Sequence, residues 1–325
     1  MKSIRFSGLF LPAMQNSPRK QAISDLLILT GLCITGMALF SAVGLLVFSL
    51  FSGSEALTPD VFSNPDPSKK GLRTGILLLQ GIISIGSFVL FPALIRFLRP
   101  GSAKHRSLKP SLTLLILISG LGLLMLPVNA WLASWNQSIH LPDFLEGIQS
   151  WAWQKEKEME QLTSYLVDFS GTGEMLLGFL VISLIAGLSE EFFFRKMIQP
   201  RLIAFTGNPH AGIWITAFIF SAIHIQFYGL LPRMALGALF GYYFYWTGNI
   251  WLPVLAHALN NGFTLAGLIL YRQQLSPVNV EDPSEVHWAL GALAAGLVWS
   301  LSSMVKEEAH KISRISAKIP DSPQS

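Results

Sequence analysis

Charge is what this sequence has little of. Of its 325 residues only 13% are Asp, Glu, Lys or Arg, against about 25% in a soluble domain. So few charges cannot coat a globule of this size, which excludes an ordinary soluble enzyme. A disordered chain is excluded too, because disorder needs low hydrophobicity and 51% of these residues are hydrophobic. Cysteine is nearly absent. The lone Cys33 excludes an intrachain disulfide framework and any cysteine-cluster metal site. A net charge of +4 is too weak to imply nucleic acid; in a membrane chain, basic residues report topology instead. What is present is apolar sequence. Its mean hydropathy of +0.48 is that of a chain dissolved mainly in lipid.

A helix needs roughly 17–25 mostly apolar residues to cross about 30 Å of hydrocarbon. Eight segments read as spans: Leu26 to Phe51, Gly75 to Leu98, Leu112 to Ala133, Glu174 to about Lys196, Ala211 to Tyr228, Leu230 to Thr247, Ile250 to Tyr271 and His287 to Met304. The expected fold is therefore all-α, a polytopic transmembrane bundle of about eight spans. The first apolar run is too long for the core of a cleaved signal, and Asp25 precedes it. An even count puts both ends on one side. That side holds Lys2, Arg5, Arg19 and Lys20, then Arg96, Arg99, Lys104, Arg106 and Lys109, then Arg195, Lys196 and Arg201, and finally Lys306, Lys311, Arg314 and Lys318. These are sixteen of the 23 basic residues. The positive-inside rule then makes both termini cytoplasmic, and the expected location is a bacterial inner (plasma) membrane.

Two connections on the other side are long. Ser52 to Arg73 is rich in Pro, Ser and Asp and reads as a loop. From Asp143 onward, Phe144, Ile148, Trp151, Met159, Leu162 and Leu166 recur at near-helical spacing among Lys155, Glu156, Lys157, Glu158 and Glu160. That pattern suits an amphipathic helix on the membrane surface, with a simple polar loop as the alternative. Residues 1–20 and 315–325 read as tails.

Glu190 and Glu191 stand apart from the other acidic residues, because they follow an unbroken apolar run and precede three phenylalanines. A carboxylate at lipid depth costs about 2.5 kcal/mol or more on insertion scales. Such residues face the bundle interior, find partners or become neutral. Glu191 can pair with Arg195 one turn on and simply close the span. Glu190 points about 100° away and needs another neighbour. His224 lies in the fifth span, and His257 with Asn261 shares a face of the seventh. Each alone is ordinary core histidine or interhelical glue. Together they supply what hydrolysis requires: a base, a proton shuttle and donors for an oxyanion. His105, His140, His210, His287 and His310 fall in loops or at span ends. Gly237 and Gly241 make a small-residue pair for close helix packing, within the chain or between chains. Trp131, Trp135, Trp246 and Trp251 read as interface anchors.

The series Glu190-Glu191-x-x-x-Arg195, Phe220-x-x-x-His224 and His257-x-x-x-Asn261 resembles the motifs of the CPBP family. That family contains the CAAX prenyl endopeptidases and the bacteriocin-processing (Abi) proteins, intramembrane glutamate-type endopeptidases. The resemblance covers about Gly178 to Leu270, with Tyr228 to Arg233 also family-like. The first three spans match no motif. By position it implies that Glu190 activates water, that Glu191 and Arg195 support it, that His224 holds the water or shares its proton, and that His257 and Asn261 stabilise the oxyanion. It implies no cofactor and no metal, a peptide or membrane-protein substrate, and the lipid bilayer as solvent. The chain then divides into a cytoplasmic tail (1–20), N-terminal spans with loops and interfacial helix (21–173), a catalytic membrane core (174–272), a last loop and span (273–304) and a second tail (305–325). Two other readings remain open here. One is a zinc protease using Glu190, His224 and His257. The other is a non-enzymatic immunity, scaffold or transport protein whose polar core binds or moves protons. The substrate and the oligomeric state are not legible.

Overall fold

The computed structural model describes residues 18–53, 57–58, 60–69, 71–99, 107–280, 282 and 286–318. Lys2, Arg5, Lys104, His105 and Arg106 lie outside the described residues. Among the described residues the principal elements are nine helices. They are α1 (Pro18–Ser52), α2 (Leu72–Leu98), α3 (Leu112–Gln137), α4 (Glu146–Val167), α5 (Thr172–Thr206), α6 (Pro209–Ala222), α7 (Leu230–Thr247), α8 (Trp251–Arg272) and α9 (Trp288–Lys318).

Six of these helices, α1, α2, α3, α5, α8 and α9, are long and apolar enough to cross a bilayer. The protein is thus a polytopic helical membrane protein. Each of the eight expected spans contains a helix, but in the fifth it stops at Ala222, and the fifth and sixth fall short of that measure. At about 1.5 Å per residue α6 reaches only about 21 Å; α7, with 18 residues, is long enough but too polar, since it carries Arg233, Tyr242, Tyr243 and Tyr245. The reason for the short α6 is local. Ile225 takes a left-handed backbone with φ 54°, which a β-branched residue rarely adopts, and this ends the helix just past Ala222. The turn is fixed from outside, as the Asn136 side chain on α3 donates to Phe227 O and accepts from Leu231 N.

Three packing groups hold the bundle. Leu114, Ile118, Leu121 and Met125 of α3 meet Phe240 and Tyr243 of α7, Leu252 of α8 and Val305 of α9. Phe193, Phe194 and Ile198 of α5 pack on Leu29 of α1, Ile95 of α2 and Phe220 of α6. Phe48, Leu72, Leu77 and Val181 join α1, α2 and α5 under Leu166 of α4. Outward, α1 exposes Leu27, Leu46 and Leu50, the last 82% exposed, as a lipid-facing helix must. The buried Asp25 accepts from Arg99 and Arg201 at 3.3 and 3.2 Å, so its charge is matched. Gly237 and Gly241 face neighbours within the chain: Ala217 and Phe220, then Ile213 and Gln199. The tail expected from Ile315 begins as helix, because α9 continues to Lys318.

The amphipathic segment is helical, but its apolar stripe is divided. Phe144, Ile148 and Trp151 are exposed, while Met159, Leu162 and Leu166 face an internal cavity. Only the first half therefore has the surface of an interfacial helix; the second half roofs the bundle.

Candidate active site

The site is built on α5, which is continuous from Thr172 to Thr206. Pro200 does not stop this helix. It opens the last helical segment of α5 with the ring at an N-terminal position, where a missing N–H is tolerated. The stop comes at Gly207, in the left-handed region at φ 70°. This length brings Glu190 and His224 to similar depths. Glu190 lies about 24 Å from the Gly207 end, and His224, reached by α6 from the same end, about 22 Å. His224 is not inside a span; it sits in the turn beyond the C-terminus of α6.

Two π-helical turns, Phe179–Ile185 and Phe192–Ile198, bracket the α-helical turn Ala186–Glu191. Such turns are rare and concentrate at functional sites. The first meets α8: Asn261 Nδ2 donates to Ile182 O at 3.1 Å, and Ser183 Oγ donates to Ala258 O at 2.6 Å. Gly187 permits this approach, since a Cβ there would stand 3.0 Å from the Ala258 backbone nitrogen.

That closeness brings His257 between the two glutamates. Its Nδ1 lies 2.9 Å from Glu191 Oε1, and its Nε2 3.9 Å from Glu190 Oε2. An ionised carboxylate only accepts, so Nδ1 donates to Glu191 and Nε2 is the nitrogen turned to Glu190. Arg195 Nε contacts Glu191 Oε2 at 2.9 Å, and both side chains are 0% exposed. Phe240 stacks on the His257 ring at 5.2 Å, and Phe220 meets it edge-on at 5.9 Å. Glu190, 16% exposed, opens onto a cavity of about 930 Å³.

His224, His257 and Asn261 line that same cavity with Glu190. The His224 Nδ1 lies 2.9 Å from Phe220 O and donates to it, which leaves Nε2 as its free lone pair. Glu191 and Arg195 do not line the cavity; they stand behind His257. The six expected residues thus form one constellation of four cavity groups backed by a buried ion pair. Three more polar groups belong to it. Asn129 Nδ2 donates to Asn260 Oδ1, and Asn260 Nδ2 to Asn261 Oδ1, at 3.2 and 3.3 Å. Arg233 lines the cavity as well. Uncharged amides inside apolar runs were the available signal for Asn129 and Asn260. Among the described residues, no group of three or more His, Cys, Asp or Glu side chains is gathered to hold a metal ion.

Residues 172–263 match the family model of type II CAAX prenyl endopeptidase Rce1-like proteins. This segment is Rce1-like. It contains all six motif residues. Three relatives agree with it. The candidate membrane peptidase YdiL of Bacillus subtilis (strain 168) is 33% identical over 99 residues, 30% of this chain and 38% of its own length. The uncharacterised YpbD of the same organism is 26% identical over 109 residues, covering 30% and 53%. The membrane-embedded CAAX protease MroQ of Staphylococcus aureus (strain USA300) is 30% identical over 99 residues, covering 29% and 40%. The chain therefore matches about half or less of each relative's length. No solved structure gives a significant match. The helices and these relatives together mark an integral membrane protein of peptidase kinship.

Proposed function

We propose that this protein is an intramembrane endopeptidase in which Glu190 activates a water molecule without a metal. The observation that carries the reading is the contact of His257 with both glutamates at the wall of the cavity, inside the Rce1-like segment. Glu190 takes a proton from water held between its carboxylate and the His224 Nε2. The hydroxide adds to the peptide carbonyl, and the oxyanion is received by Asn261 N–H and by His257 when Nε2 is protonated. Donors of this kind are worth about 3 kcal/mol each. Glu191 keeps His257 in one tautomer, and Arg195 balances the buried charge of Glu191. Collapse of the intermediate passes the proton from Glu190 to the leaving amine. The substrate is a peptide or membrane protein reached from the bilayer. Both termini are cytoplasmic by the distribution of basic residues.

Substrate trapping tests this. Glu190→Gln protein, isolated from cells in its native membrane, is expected to carry peptides enriched over the wild type, read by mass spectrometry. No enrichment, with the variant folded, counts against hydrolysis. Exhaustive chelation is expected to leave wild-type cleavage unchanged; loss restored by zinc would contradict the metal-free mechanism.

A further inference from the structure

Among the described residues, the cavity wall carries one acidic and one fully cationic side chain, Glu190 and Arg233. The proposed hydrolysis uses the first and gives the second no role. Arg233 stands one turn into α7, and its Nη1 is buried without a hydrogen-bond partner. Glu156 of α4 and Glu190 are both near enough to act on its charge, yet neither pairs with it. Glu156 Oε2 is likewise buried and unbonded, and its other oxygen accepts from Gln226 at 3.4 Å. The position of the guanidinium is prepared. A Cβ at residue 229 would fall on Arg233 Nη2, so Gly229 provides the space it occupies.

An unpaired guanidinium against an apolar wall at lipid depth is costly, and such groups mark substrate pathways. Its planar fork matches a carboxylate through two parallel hydrogen bonds. We propose that Arg233 is the anion-binding group of this cavity and takes a carboxylate carried by the peptide substrate. This inference rests on the peptidase reading. It adds a requirement on substrates, a carboxylate in the same chamber as the bond that Glu190 attacks. An α-carboxylate at a chain end and an Asp or Glu side chain offer the same chemistry.

The test uses full-length Glu190→Gln protein in lipid nanodiscs and three pools of random nonapeptides. The first lacks Asp and Glu and has a free C-terminus. The second lacks Asp and Glu and is amidated. The third is amidated and contains Asp and Glu. Retention is read by mass spectrometry. The first or third pool is expected to be held about tenfold more than the second, the scale of one charge-assisted hydrogen bond, and the better of the two names the source. Arg233→Gln in the same background is expected to erase the preference, and Arg233→Lys to keep part of it. Equal retention of the three pools on protein with Arg233 intact, whether high or nil, overturns the inference. So does a preference that survives Arg233→Gln. Wild-type cleavage of the same pools separates the two readings. Cleavage without carboxylate preference sinks the role of Arg233 alone, and preference without cleavage sinks only the peptidase.

Discussion

Glu190 and Glu191 are neighbours in sequence and opposites in surroundings. Glu191 is fully enclosed, tied to Arg195 and His257; Glu190 faces the cavity with His257 Nε2 3.9 Å away. One carboxylate is held still by two partners, the other is placed to meet a ligand. Glu191→Gln removes the charge-assisted bond that orients His257, worth about 1.5–3 kcal/mol. The expected result is a fall in kcat of about 10- to 100-fold with KM little changed, read by steady-state hydrolysis. A change confined to KM would place His257 in substrate binding. Arg195→Met leaves the buried Glu191 carboxylate without its counter-charge, with only the His257 bond remaining, a loss of about 3–5 kcal/mol, and lowers Tm. The double variant Glu191→Gln/Arg195→Met is expected to regain part of that loss. Equal Tm values for the single and the double would deny the pair its structural role.

At the scale of elements, α5 and α8 carry the site because they touch closely at Gly187. Gly187→Ala pushes a methyl against the Ala258 backbone, and overpacking of this kind costs about 1–3 kcal/mol. Lower Tm together with lower activity is expected; an unchanged protein would mean that the helices have room to separate. α4 roofs the cavity and carries a titratable group. Burial raises the Glu156 carboxyl above its ordinary 4.5, with the Arg233 charge opposing. Folding then favours the protonated form, so the stabilisation is present at low pH and is lost as pH rises through the raised value. Hydrogen exchange in residues 146–167, corrected for intrinsic rates, is expected to quicken over that range and to flatten in Glu156→Gln. Slower exchange at higher pH would reverse the sign. These elements were unequally legible. The apolar runs gave the helices, and the i, i+4 spacing gave Glu191 with Arg195 and His257 with Asn261. The end of α6 at Ala222 was hidden, because no glycine or proline announces the left-handed turn at Ile225. The π turns were hidden too, because Phe179–Ile185 has no composition that sets it apart from α-helix.

Over the whole molecule, a scarcity of charge becomes a pattern of placement. Asp25 ties Arg99 and Arg201 near one end of the bundle, Arg73 ties Glu174 at 2.9 Å near the other, and Glu190 lies between, near the middle of α5. Sequence made Glu190 conspicuous because charge at lipid depth is expensive. It gave only a weak sign of Asn129, because a lone amide in an apolar run is inexpensive and its partner Asn260 lies 131 positions away. The central claim is that Glu190 is the base of a metal-free hydrolysis. It is tested most directly by the purified full-length chain in nanodiscs after exhaustive chelation, comparing wild type with Glu190→Gln on peptides recovered from the trap. Cleavage by the wild type and none by a folded Glu190→Gln protein is the predicted result; equal cleavage by both would contradict it.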